Sequence, residues 1–203
     1  MNLKKIITIM LPAAAIAALS SCSNHPEIEG TWTGTPTRID NISAACDASA
    51  TMSISFTQDE KSAQSGEVTI SALIDANQPV TSETAGLDQP YEVSVAATAV
   101  ITGHWSYEEK GDDDIIITLD PSTLQVNVDP NGVTFSNDVL TETQQPLLDS
   151  LSSATADAWK KSIAKAMSER FYDMNRISDI KINNGIMSCE IHDRDFTFRR
   201  VSE

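Results

Sequence analysis

Thr51-Met52-Ser53-Ile54-Ser55-Phe56-Thr57, followed after a polar stretch by Glu67-Val68-Thr69-Ile70-Ser71-Ala72, decides the fold. Met52, Ile54 and Phe56 alternate with hydroxyl side chains, as do Val68, Ile70 and Ala72. Successive side chains of a strand point to opposite faces, so each segment has one dry and one wet face. Two such segments in succession predict an antiparallel pair, with Gln58 to Gly66 as its polar loop.

The same period runs outward in both directions. Ile28-Glu29-Gly30-Thr31-Trp32-Thr33-Gly34 reads as a first strand. Asn77 to Pro90, rich in Pro, Ser, Thr and Asp, reads as a longer loop. It feeds a long strand from Tyr91 to Tyr107, with Tyr91, Val93, Val95, Ala97, Ala99 and Ile101 on one face and Gly103 marking a bend or bulge. Turns are expected at Glu108 to Asp114, at Asp120-Pro121-Ser122 and at Asp129-Pro130-Asn131-Gly132, separating short strands at Ile115 to Leu119, around Val126 and Val128, and at Val133 and Phe135.

The period then changes. Trp159, Ile163, Met167, Phe171 and Met174 recur at three- or four-residue spacing with charged residues between them, which predicts a helix packing on the sheet. A shorter helix is expected before it, because Thr141-Glu142-Thr143-Gln144 has capping-box spacing. Asn184-Gly185 has the chemistry of a two-residue hairpin turn and would pair Ile182 with Met187 and Ile180 with Cys189, turning Cys189 inward. His192 to Asp195 reads as the last turn, before Phe196 and Phe198 in a closing strand.

Many short antiparallel strands with one apolar face hide that face, and their edges, by closing on themselves. The expected fold is therefore mainly β: an antiparallel barrel with one or two helices inserted before the C-terminal hairpin. Gly30-Thr31-Trp32 resembles the G-x-W signature on the first strand of lipocalins and of the lipocalin-like lipoproteins common in Bacteroidetes. The resemblance implies a lipocalin-like barrel in which Gly30 lets the first strand bend and Trp32 plugs the closed end. A typical lipocalin has its helix after the eighth strand, whereas here helices precede the last strands.

Ahead of the barrel, Lys4 and Lys5 are followed by an apolar run from Ile6 to Leu19, interrupted by Pro12 and too short to span a bilayer. Leu19-Ser20-Ser21-Cys22 resembles the lipobox of bacterial lipoproteins. This implies a signal peptide over 1–21, lipidation (palmitate among the acyl chains) on Cys22, a tether over 22–27, and a single domain over 28–203 with a helical insertion at about 141–176. Ser23 after the cysteine resembles outer-membrane sorting, which leaves open whether the protein faces the periplasm or the cell surface.

Charge and composition narrow the function. The formal charge is -15, and the signal would remove two lysines and no acids, leaving about -17. Such a chain repels phosphate backbones, so nucleic acid is not an expected partner. Cys46 and Cys189 remain after lipidation; an exported compartment permits one bridge between them, and two separate buried thiols fit the sequence equally.

The three histidines are His25 in the tether, His104 at a strand end and His192 in a turn, and none has metal-ligand spacing. Asp112-Asp113-Asp114 lacks the ligand alternation of a calcium loop. No G-x-S-x-G, H-E-x-x-H or phosphate-cradling loop is present. We therefore expect no cofactor, no metal and no catalysis. The expected role is a lipid-anchored envelope protein binding a small apolar or amphipathic ligand; Ala96, Ala97 and Ala99 fit equally room for that ligand and a tight crossing of the helix containing Trp159. The alternative is an accessory subunit or inhibitor with a packed core, and the sequence designates no ligand-binding residues.

Overall fold

The computed structural model describes residues 25–40, 42, 46–80, 91–108, 114–136 and 145–201. Cys22, the segment 81–90, Asp112-Asp113 and the capping box at 141–144 lie outside them. The elements are β1 (Gly30–Gly34), β2 (Thr37–Arg38), β3 (Asp47–Asp59), β4 (Ser62–Val80), β5 (Tyr91–Tyr107), β6 (Ile115–Leu119), a 3-10 turn at Pro121–Thr123, β7 (Gln125–Ser136), α1 (Gln145–Tyr172), β8 (Arg176–Asn183), β9 (Ile186–Ile191) and β10 (Arg194–Arg200).

Eight strands close into an antiparallel barrel in the order β1-β10-β9-β8-β6-β5-β4-β3, and the β1–β3 pairing completes the ring. β2 lies against β3 outside it. The long β5 serves two neighbours. Its end at Gly103–Tyr107 pairs with β6, whereas Glu92–Val100 pairs with β7. β7 and α1 thus form an excursion between β6 and β8, which are themselves adjacent.

The alternation places Met52, Ile54 and Phe56 of β3, Val68, Ile70, Ala72 and Ile74 of β4, and Val93 through Trp105 at odd positions of β5, Gly103 apart, in one continuous core. Trp159, Ile163, Met167 and Phe171 of α1 join the same core. Burying each such side chain contributes about 1.5–3 kcal/mol, so this shared apolar face is what closes the sheet. Ala97 and Ala99 face inward, and α1 approaches β5 and β7, a crossing that small side chains permit. Ala96 points to solvent.

Several local expectations are corrected. The loop foreseen over Gln58 to Gly66 contracts to Glu60-Lys61, because β3 and β4 continue pairing to Asp59 and Ser62. Asn77 to Val80 is strand, paired with Tyr91 to Ser94. Asp129 to Gly132 does not separate two strands; it loops out of β7 opposite Ala96, stabilised by Asn131 N–H donating to Asp129 Oδ1 at 2.9 Å. Of the one or two helices expected there is one, continuous over 28 residues, so the shorter piece foreseen ahead of Trp159 is part of the same helix. Ile182 does pair with Met187, but a bulge at Ser178–Lys181 removes the Ile180–Cys189 partnership, and Asp179 adopts φ 51° there. The two C-terminal hairpin turns have positive φ at both central positions: Asn184 and Gly185 at 49° and 74°, His192 and Asp193 at 49° and 58°.

Gly103 is glycine for a reason other than a bend. A Cβ there would lie 2.2 Å from the Thr118 carbonyl oxygen, so only glycine lets β6 pass so close.

Candidate cleft at the barrel mouth

The helical stripe ends beside the open ends of β1 and β10. There Arg170 of α1, Asp173, Met174, Met52 of β3, Thr37 of β2, His192 and Arg194, Phe196 and Phe198 of β10 line a cleft of about 180 Å³. Phe196 and Phe198, two residues apart on one strand, present their rings on the same side with centroids 6.2 Å apart. Gly34 makes room for them, since a Cβ there would lie 3.2 Å from Phe198 Cε1.

Arg170 is the polar centre of the cleft. Its Nε donates to Met52 Sδ at 3.3 Å, Nη1 donates to the Arg38 carbonyl at 3.3 Å, and Nη2 donates to Thr37 Oγ1. A thioether is a weak acceptor, and a guanidinium carries five N–H donors, so two have no partner among the described residues. Among the described residues no carboxylate lies within ion-pair distance of it. Partial burial, followed by the nearby Arg194 charge, lowers its pKa from the ordinary arginine value, while Asp173 and Asp40 act in the opposite sense. It stays protonated throughout the working range.

A second, shallower hollow of about 670 Å³ flanks the other side of the same helical turn, lined by Ile117, Leu119, Pro121, Leu124, Glu169 and Tyr172 among others. Among the described residues it contains carboxylates and no cation, and Tyr172 is 78% exposed beside it.

The opposite ends of β1 and β10 hold the N-terminal segment. His25 stacks on Tyr107 with centroids 4.2 Å apart, Tyr107 Oη donates to the Pro26 carbonyl, and Arg200 Nη2 donates to the Glu27 carbonyl at 3.0 Å. Trp32 is fully buried, its indole N–H donates to the Ile28 carbonyl at 2.7 Å, and the Arg200 guanidinium lies 4.7 Å over its ring. Gly30 adopts φ 106°, where the chain turns into β1. Gly30 and Trp32 are thus brought together with the tether, away from the cleft.

Cys46 and Cys189 are free thiols. They sit at β3 and in β9, separated by β10 and β1 around the ring. Three inter-strand steps of about 4.8 Å put them well beyond the roughly 7 Å that a disulfide spans between Cα atoms. Burial pushes the Cys189 thiol up to about 12, and Cys46 is also raised, first by desolvation and then by Asp47.

His104 points outward into solvent, and His192 reaches the cleft only as part of an exposed turn. Asp114 accepts from Arg176, which also pairs with Glu108 at 2.9 Å. Among the described residues no group of three or more His, Cys, Asp and Glu side chains could hold a metal.

The sequence reading missed the cleft. Its one available signal was Arg170, which lies three residues after Met167 and four before Met174, on the helix face that otherwise buries apolar side chains. An arginine on such a face marks a place where the core opens to something polar. Comparison with protein families, curated proteins and solved structures gives no match to the chain.

Proposed function

We propose that the chain is a lipid-anchored, non-catalytic protein of the bacterial envelope that holds a small amphipathic molecule in the cleft beneath the last turn of α1. The observation that carries this reading is the half-buried Arg170 guanidinium, with donors to spare, facing Met52, Met174, Phe196 and Phe198. Such a surface sets charged and hydroxyl groups beside a dry face, the pattern of sites that orient a small ligand.

The proposed ligand lies at the mouth of the barrel, where the end of α1 meets the start of β10. The anchor is supported by Leu19-Ser20-Ser21-Cys22 and by a docked segment that begins three residues after Cys22. Ser23 supports the outer membrane as the location. No described helix is long and apolar enough to cross a membrane, so the acyl chains on Cys22 would supply the attachment.

A second reading, an accessory protein, is favoured by the exposed Tyr172 beside the larger hollow. Native mass spectrometry of the full chain released from membranes in mild detergent separates the two. A retained mass of small-molecule size supports the first reading, and a stoichiometric protein partner with no small molecule supports the second. The bare lipidated chain under the mildest release, with no binding in the titrations below, would overturn the first.

A further inference from the structure

Resting on the reading of the cleft as a ligand site, we infer that its occupant is a small monocarboxylate whose single anionic end seats against Arg170 and Arg194 and whose short tail covers Met52, Met174, Phe196 and Phe198.

The sign of the charge follows from the donors. Arg170 spends one N–H on a thioether, although a carboxylate oxygen is a far stronger acceptor, and two further N–H groups have no partner among the described residues. Arg194 lines the same cleft, close enough to repel Arg170, and among the described residues it makes no ion pair. Two arginines facing one hollow, neither in an ion pair among the described residues and with Asp173 and Asp40 acting on Arg170 only from beyond ion-pair distance, stand out in a chain of net charge -15 with 29 acids. An anion bridging them would relieve their repulsion, and a planar carboxylate matches the guanidinium fork.

The number of charges follows from the other titratable groups. Asp173 and His192 also line the cleft, and the protein is strongly acidic. A second negative charge on the ligand would meet Asp173 and the overall field, so one charge is favoured over two.

Size follows from the volume. About 180 Å³ is close to the roughly 150 Å³ of an engineered apolar cavity that takes benzene. The tail is therefore short, of about hexanoate length, and a long acyl chain would have most of its length in water.

The test is calorimetric and NMR titration of the mature full chain with hexanoate, hexan-1-ol and hexylamine, which share a tail and differ in charge. Hexanoate is expected to bind about tenfold more tightly than hexanol, with hexylamine weakest, and to shift the resonances of Arg170, Met52 and Phe198. Arg194→Gln, at an exposed position, is expected to weaken hexanoate about five- to tenfold while leaving hexanol unchanged; Arg170→Lys serves as a second variant that keeps the charge and loses the fork. Equal binding of hexanoate and hexanol at the cleft would overturn the anionic assignment while leaving the cleft as a ligand site. Tighter binding of butanedioate than of hexanoate would overturn the single charge. No binding of any of the three would overturn both this inference and the proposed function.

Discussion

Gly66→Ala tests how closely the barrel is packed at its tethered end. Gly66 lies on β4 opposite Trp105, whose indole N–H donates across to the Thr57 carbonyl at 3.1 Å. A Cβ on Gly66 would lie 1.9 Å from that carbonyl oxygen and 2.9 Å from Trp105 Nε1, the two atoms of the bond. The methyl cannot be absorbed by a flexible side chain, because one atom is backbone and the other belongs to a ring that is 3% exposed and packed edge-on against Phe56 and Tyr107. Overpacking costs about 1–3 kcal/mol and loss of the hydrogen bond about 1 kcal/mol, so a destabilisation of roughly 2–4 kcal/mol is expected. At about 2–4 °C per kcal/mol for a domain of this size, the midpoint of thermal unfolding should fall by roughly 5–15 °C. Scanning calorimetry gives that shift, and near-ultraviolet circular dichroism reports displacement of the indole. Gly30→Ala provides the contrast, since its Cβ would meet nothing within 4 Å and only its φ of 106° opposes it; the expected cost is about 1–3 kcal/mol. A Gly66→Ala protein melting within 2 °C of the parent, with an unchanged aromatic spectrum, would refute the packing argument.

Cys189 should resist iodoacetamide at pH 8 in the folded protein and react on unfolding, because burial holds its thiol at about 12. Its folded pKa exceeds the unfolded value of 9.0, so the unfolded state binds fewer protons between pH 9 and 12 and stability falls as pH rises through that window. Cys189→Ala should flatten that fall in urea titrations, by up to about 4 kcal/mol at its upper end. Gly185→Ala forces alanine to φ 74° and should cost about 1 kcal/mol by urea unfolding, whereas a neutral result would contradict the turn geometry. Cys22→Ala should move the chain from the membrane fraction to the soluble fraction of fractionated cells, and unchanged membrane association would overturn the proposed anchor.

The parts of the fold visible in the sequence were those governed by local periodicity. Ile54, Ile70 and Ile101 lie on dry faces because alternation alone decides which side of a strand is buried, and the Asn184-Gly185 turn follows from the backbone conformations these residues tolerate. Features that depend on distant partners were hidden. Nothing local reveals that β5 pairs with β6 at one end and β7 at the other, or that Asp129 to Gly132 loops out of a continuous strand. The bulge at Ser178–Lys181 shifts a hairpin by one residue without a glycine to announce it. The cleft was hidden for the same reason. Thr37, Met52, Arg170 and Phe196 are separated by up to 159 positions and meet only because β1 joins β3 to β10 and α1 ends above them.

The central claim is that the protein binds its ligand at the mouth of the barrel. Methyl NMR of the mature chain labelled at methionine tests it in one titration with hexanoate. Met52 and Met174 line the cleft, whereas Met167 and Met187 are fully buried in the core. Shifts of the Met52 and Met174 methyls, with Met167 and Met187 unmoved, are predicted; movement of Met167 and Met187 with the cleft methyls still would contradict the account.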